Sequence, residues 1–63
     1  MKAIKHGTDK RGNKLAIATN GKTFSVWIQK ENYEQGRMVK SWCYIKQNIA
    51  MEEAEIILKR RSA

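Results

Sequence analysis

The chain has 63 residues, and thirteen Lys and Arg against six Asp and Glu give it a net charge of +7 and a pI near 9.9. Such a length predicts one domain, residues 1–63, that buries only about 60% of the surface its unfolded form exposes. One cysteine and one histidine exclude an intramolecular disulfide and a Cys/His zinc site, while the charge favours polyanionic partners, nucleic acid first.

The chain has no sequence feature that predicts a membrane or secreted location. No apolar run reaches the ~18 residues that a membrane-spanning helix needs. The first residues, MKAIKHGTDKR, become polar too early for a signal peptide. The lone thiol of Cys43 is typical of a reducing compartment. We therefore expect a cytoplasmic protein without a membrane partner.

The first half of the chain predicts a weak strand followed by a hairpin. The segments are a weakly alternating strand at 2–6, a polar turn at 7–13, and cleanly alternating strands at 14–19 and 22–30. Asn20-Gly21 separates the last two strands and favours a two-residue type I′ turn, which needs positive φ at both central positions.

That turn predicts the pairing of the two strands. The expected pairs are Thr19 with Lys22, Ile17 with Phe24, and Leu15 with Val26 on one face, and Ala16 with Ser25 and Lys14 with Trp27 on the other. Strong hydrophobes then share one face, as a buried face requires.

The next segments predict a loop at 31–36 and a strand at 37–46. Closing that loop places Ile28 near Val39 and Phe24 near Cys43. The expected inward residues are Val39, Cys43 and Ile45, with Ile4 added if the first strand pairs. Trp42 and Tyr44 then point outward.

Helical spacing begins at Ile49 and continues to Arg61, with Asn48 as the expected N-cap. The apolar stripe includes Ala50, Ala54, Ile57 and Leu58. Acidic residues near the start and basic residues at the end match the helix dipole. The predicted fold is α+β: an antiparallel meander of three or four strands with one C-terminal helix packed on one face.

The helix leaves the other sheet face open, and this face is the candidate site. Its expected occupants are Lys5, Lys14, Ala16, Ala18, Trp27, Lys40, Trp42, Tyr44 and Lys46. Exposed aromatic residues usually mark an interaction site, and their sharing a face with lysines favours nucleic acid. Lys10, Arg11 and Arg37 are expected to hold phosphates.

Two modes of nucleic-acid binding fit these residues. Bases of a single strand stack on the three aromatic rings, or the sheet enters the major groove of a duplex. Ser25 and the alanines permit close approach. The alternative is an adaptor or inhibitor, or a homodimer, that uses the same aromatic face for a protein contact. Nothing predicts an enzyme, a metal site or a cofactor: His6 has no partner, and Glu52, Glu53 and Glu55 suit a helix start.

The order of features from Lys22 to Lys59 resembles the small DNA-binding module of tyrosine integrase N-termini and AP2-type domains. The matching segments are KTFSVWIQK, YEQG, RMVKSWCYIK and MEEAEIIL. The resemblance implies a three-stranded sheet, braced by a helix, that enters the major groove. Trp42 and Tyr44 stand where that family is more polar, and the N-terminal strand is additional; the aromatic residues favour stacking over duplex readout.

Overall fold

The structure, a computed structural model, describes residues 2–62 as a four-stranded antiparallel sheet followed by one helix. The elements are β1 (Lys2–Thr8), β2 (Lys14–Thr19), β3 (Phe24–Glu34), β4 (Arg37–Ile49) and α1 (Met51–Arg61). The strands lie in the order β1-β2-β3-β4, so each pairs with its neighbour in sequence. The predicted α+β meander with a C-terminal helix is confirmed.

The core lies between α1 and one face of the sheet. Its buried members are Leu15, Ile17, Val26, Ile28, Ile49, Ala54 and Leu58, and the partly buried Phe24, Ile45, Met51 and Ile57 pack against them. The strand residues alternate along the chain, because successive side chains of a strand point to opposite faces. Ile45 therefore contacts the core, as predicted.

The β2–β3 connection is a four-residue loop and not the predicted two-residue turn. Thr19 pairs with Phe24, so residues 20–23 form the loop. The Asn20 side chain accepts hydrogen bonds from the backbone N–H groups of Lys22 and Thr23, at 3.0 and 2.9 Å. Asparagine commonly bonds to its own loop in this way, which offers the backbone an alternative to a tight turn.

The longer loop shifts the register of β2 and β3 by two residues. Ile17 lies opposite Val26, and Leu15 lies opposite Ile28. A two-residue shift keeps every side chain on the same face. The predicted pairs are wrong, but the predicted facing of β2 and β3 is right.

The predicted loop at 31–36 is also wrong, because both strands continue to a two-residue turn. Glu34 pairs with Arg37, and Gln35 and Gly36 have φ of 51° and 80°. Positive φ at both positions is what a type I′ turn requires. The tight turn expected at Asn20-Gly21 thus lies here. Ile28 lies opposite Cys43, and Phe24 opposite Ile49, four to six residues from the predicted pairing.

Residues 30–41 form a two-stranded ribbon, which we call the arm, beyond the last β2–β3 pair. With eleven residues α1 is about 16 Å long, whereas the thirteen residues of β4 extend about 40 Å. The helix therefore cannot cover the arm. Val39, which was predicted to be buried, lies on the arm and is exposed for this reason. Cys43, also predicted to be buried, lies outside the arm on the edge strand β4, opposite Ile28, and is exposed as well.

The helix begins at Met51, two residues later than predicted. Ala50 is the N-cap and makes no side-chain capping hydrogen bond. Asn48, the predicted N-cap, lies in β4 with φ of 58°. Burial of Ile49 in the core holds β4 in the sheet up to this residue. The acidic first turn and basic last turn are as predicted.

The end of α1 lies against the end of β1. Asp9 and Ser62 form an antiparallel bridge, and the Ser62 N–H donates to the Leu58 carbonyl at 2.9 Å. Gly7 lies at this contact: a Cβ at this position would lie 3.5 Å from Leu58 Cδ1 and 3.4 Å from Ser62 Oγ, which is an ordinary van der Waals distance. A larger side chain at Gly7 would push the helix end away.

Candidate nucleic-acid interface

The sheet face opposite α1, which we call the open face, carries the aromatic residues predicted there. Trp27 lies opposite Tyr44, and Gln29 lies opposite Trp42. Trp42 and Tyr44 are 43% and 56% exposed. The predicted outward facing of Trp42 and Tyr44 is therefore right, although the strand register is different.

Trp27 is the fixed member of the aromatic group. Its ring meets the Tyr44 ring edge to face, with centroids 5.6 Å apart and planes at 82°. Its Nε1–H donates to the Oγ of buried Ser25 at 2.9 Å. An edge-to-face pair and an occupied N–H limit the orientations of the indole. Ser25 thus supports the aromatic group. The sequence had instead suggested that Ser25 permits close approach of a ligand.

A shallow depression of about 270 Å³ lies in the open face. Its lining residues are Ala3, His6, Ala16, Ala18, Trp27 and Trp42. Ala16 and Ala18 are buried although no element covers them, because the larger side chains rise around them. This volume is just below the range of ~300–1,000 Å³ for pockets of drug-sized ligands. It suits one flat ring between walls that include two indoles.

The presence of His6 at this site was not predicted. The β1–β2 register shifts between Ala3 and Lys5, which leaves Ile4 exposed and places His6 opposite Ala16. A bulge moves all later residues of a strand to the other face. No residue in KAIKH signals a bulge, so simple alternation placed Lys5 on the open face and Ile4 in the core. Both placements are wrong.

The same kind of irregularity removes two predicted lysines from the open face. Lys5 lies opposite core residue Ile17, and its Nζ is 3.9 Å from Oε1 of Glu55 on α1. Lys46 lies opposite Val26 after a bulge in the β3–β4 ladder, and its Nζ is 3.0 Å from Oε1 of Glu53. These two lysines are paired with helix carboxylates. Exposed pairs of this kind contribute only about 0–1 kcal/mol.

The remaining candidate lysines and Arg37 are separated along the sheet. Lys14 lies opposite Thr8 at the start of β2. Lys40 lies on the arm, with its Nζ 3.8 Å from Oε1 of Glu31. Arg37 lies at the tip of the arm. The open face is therefore mainly aromatic and only weakly basic.

Lys10 and Arg11 lie in the β1–β2 turn, which Asp9 organises. Asp9 Oδ1 accepts the backbone N–H groups of Arg11 and Asn13 at 2.9 and 2.8 Å, and Oδ2 accepts the Asn13 side-chain amide at 3.2 Å. Hydrogen bonds to a carboxylate favour its charged form. The carboxylate thus holds this turn in place.

The Asp9 turn should loosen in acid. Burial raises the pKa of Asp9, but the hydrogen bonds from Asn13 and Arg11 and the Arg11 charge together hold the pKa below its usual value of 3.8. A carboxylate whose pKa is lower in the folded state stabilises the fold at pH above its unfolded-state pKa. This stabilisation disappears as the pH falls through its folded-state pKa. An NMR titration of the Asp9 carboxyl should have its midpoint below 3.8, with the Arg11 and Asn13 amides moving together with it. A midpoint at or above that value would contradict the assigned hydrogen bonds, and Asp9→Asn is the control that removes the titration.

Residues 2–62 contain no group of three or more His, Cys, Asp and Glu side chains that could hold a metal ion. They also contain no helix of the length and apolar character that crossing a membrane requires.

Comparison with known proteins identifies no relative of this chain. No family model matches the chain, and the searches of curated proteins and of solved structures return no match. The resemblance to the integrase and AP2-type modules therefore stays a prediction from the sequence.

Proposed function

We propose that this protein binds single-stranded nucleic acid, without catalysis, through its open face, as a small regulatory or accessory factor. The observation that carries the proposal is the exposure of Trp42 and Tyr44 beside a depression floored by alanines. Every base has a flat π-face, so such rings bind bases with little sequence preference. Each stacked base contributes about 1–3 kcal/mol.

The rigidity of the aromatic group supports this proposal. Trp27 is held by Tyr44 on its ring and by Ser25 on its N–H. A surface that is already ordered loses less side-chain entropy when a ligand binds. A base in the depression would contact both indoles, Trp27 in its fixed orientation and the more exposed Trp42.

A single strand fits the open face better than a duplex does. Duplex readout in the major groove uses hydrogen bonds to base edges, and this face presents rings and alanines instead. The arm has the dimensions of a groove-binding ribbon, but Glu31 and Glu34 lie among its cations. Those carboxylates would approach the phosphates on either side of a groove.

A protein partner is the second candidate, and a different observation favours it. Tyr33 lies opposite Met38 on the same side of the ribbon as Trp42, and the two are 76% and 54% exposed. They form a second exposed apolar group near the tip of the arm, separated from Trp42 by the Glu31–Lys40 ion pair on the same side. Aromatic residues and Met are enriched at protein interfaces. An adaptor, an inhibitor or a homodimer would use this surface.

The proposed location is the cytoplasm. Cys43 is a free and exposed thiol, and exposed thiols persist unpaired where glutathione and thioredoxin keep them reduced.

Titration with oligonucleotides tests the proposal. A single strand and the matching duplex should be added at low salt while the two indole N–H signals are followed by NMR. We expect the single strand to move the Trp42 signal most. If Lys10, Arg11, Lys14 and Lys40 each neutralise one phosphate, log K should fall with log salt at a slope near −3, at about −0.7 per phosphate.

The same titration separates the two candidates. An aromatic protein interface changes little with salt, and it would leave both indole signals unmoved by oligonucleotide. If neither Trp27 nor Trp42 responds to single strand or duplex at low salt, the nucleic-acid proposal is wrong. A concentration-dependent shift of the same signals without any ligand would instead identify a homodimer through this face.

A further inference from the structure

Two basic segments that are distant in sequence meet at one end of the molecule. We call this end the basic pole; its members are Lys10, Arg11, Lys59, Arg60 and Arg61. The Asp9–Ser62 bridge joins the turn that contains the first pair to the helix end that contains the other three. Gly7 lies beside Leu58 next to this bridge, at a distance where an added Cβ would be in ordinary van der Waals contact.

The cations of the basic pole are exposed, and none of them forms an ion pair with a carboxylate of the described residues. Within residues 2–62, the ion pairs involve Lys5, Lys40 and Lys46, and all three lie outside the pole. Asp9 is adjacent, but its oxygens accept the hydrogen bonds of the turn. Five cations and one carboxylate thus account for more than half of the net charge of +7.

This concentration of charge is larger than the fold needs. A helix C-terminus is stabilised by basic residues in its last turn, which explains part of the set on α1. The fold also brings Lys10 and Arg11 to the same end, where like charges repel. A polyanion that binds at this end would relieve that repulsion.

The basic pole continues from the open face. His6 lines both the aromatic depression and a second depression of about 390 Å³. Gly7, Thr8, Lys14 and Leu15 complete the second one, which leads towards the β1–β2 turn. His6 and Asp9 are three positions apart along the chain, a distance of about 10 Å at ~3.3 Å per residue. A strand that leaves the aromatic depression over His6 and Lys14 therefore reaches the pole.

We propose that the basic pole binds the phosphodiester backbone of the same single strand whose bases stack on the open face. This inference rests on the proposed function and adds a second contact to it. The aromatic depression holds bases and the pole holds phosphates, so the strand crosses the sheet from β4 towards the β1–β2 turn. The cations in the last turn of α1 then have two roles: they stabilise the helix C-terminus and they contact phosphates of the ligand.

A pair of charge-matched variants tests the assignment. Arg60→Gln with Arg61→Gln removes two charges from the pole, and Lys2→Gln with Lys22→Gln removes two from the opposite end of the sheet, beside Thr19 and in the β2–β3 loop. Affinity for a single-stranded oligonucleotide is measured over a range of salt. We expect the pole variant to reduce the slope of log K against log salt by about 1.4, at about 0.7 per phosphate, and the control to leave it unchanged. Equal changes in both variants would mean that only net charge matters, and would overturn the proposal; so would no change in either.

A second variant tests whether the effect of the Arg60 and Arg61 substitutions comes from fraying of the helix end. Lys10→Gln with Arg11→Gln removes charge from the turn without touching α1, and it should reduce the slope by the same amount. If only the helix variant binds more weakly, and circular dichroism shows lost helix, the effect is structural and the pole is not a binding site.

An oligonucleotide without bases separates this inference from the proposed function. Its phosphodiester backbone should bind the native protein weakly, lose affinity in the pole variant, and be insensitive to Trp42→Ala. If only the pole variant loses affinity for the normal oligonucleotide, the pole is a binding site and stacking on the open face is rejected. If only Trp42→Ala loses affinity for the normal oligonucleotide, the open face is a binding site and the proposed role of the pole is rejected.

Discussion

Replacing Trp42 by Ala should weaken the binding of a single-stranded oligonucleotide by about 1–3 kcal/mol, which is roughly 5- to 150-fold in Kd. The Trp42 ring is 43% exposed and lines the depression from its edge strand. Its removal takes away a stacking surface but leaves the core beneath the sheet unchanged. Fluorescence of the remaining Trp27 can follow the titration, and a thermal melt should show little change in stability.

Two control variants define what the Trp42 result means. Trp42→Phe keeps a flat ring and should retain most of the affinity, since stacking needs a ring and not the indole N–H. Val39→Ala removes an exposed apolar side chain from the opposite side of the hairpin and should have no effect on binding. Unchanged affinity in Trp42→Ala would reject stacking at this position, and unfolding of that variant would show that the ring belongs to the core.

Replacing Ile17 by Ala should unfold much of the protein population. Ile17 is fully buried at the centre of the sheet. Truncation of a buried Ile to Ala costs about 2–5 kcal/mol, because apolar contacts are lost and a cavity is left. A core in a domain of this size rarely supplies more than about 3–5 kcal/mol, so the loss is comparable to the whole free energy of unfolding.

Ile56 offers the matched control for this prediction. It is an isoleucine on α1 that is 53% exposed, so Ile56→Ala should change the free energy of unfolding by less than about 0.5 kcal/mol. Both variants can be compared by urea denaturation followed by circular dichroism. Equal stability of the two would contradict the location of the core between α1 and the sheet.

The sequence by itself determined the fold class and the facing of the central strands. Alternation in KLAIAT and FSVWIQ assigns Ile17 and Val26 to one face and Trp27 to the other, and this assignment survives a register error of two residues. Helical spacing from Ile49 likewise predicted α1, which begins two residues later at Met51. These features are local, because a period of 2 or 3.6 residues is already contained in each segment.

Strand pairing was decided only by the tertiary structure. Asn20 closes a four-residue loop through its own side chain. The tight two-residue turn is at Gln35-Gly36. Polar ENYE predicted a loop, yet its backbone pairs along the arm, where solvent on both sides accepts polar side chains. The predicted burial of Val39 is wrong because a helix of about 16 Å cannot cover a strand of about 40 Å, and Cys43 is exposed on the edge strand β4.

The composition of the candidate site was decided by bulges and by the position of the helix end. The irregularities near Ala3 and Val26 move Lys5 and Lys46 to the helix side and bring His6 to the open face. A bulge changes the face of every later residue and leaves no mark in residue type. The basic pole depends on the contact of Asp9 with Ser62, residues more than fifty positions apart. Alternation predicts which way a side chain points only in strands without a bulge, such as β2, whereas the bulges in β1 and β4 and the charges that become neighbours depend on how the elements pack.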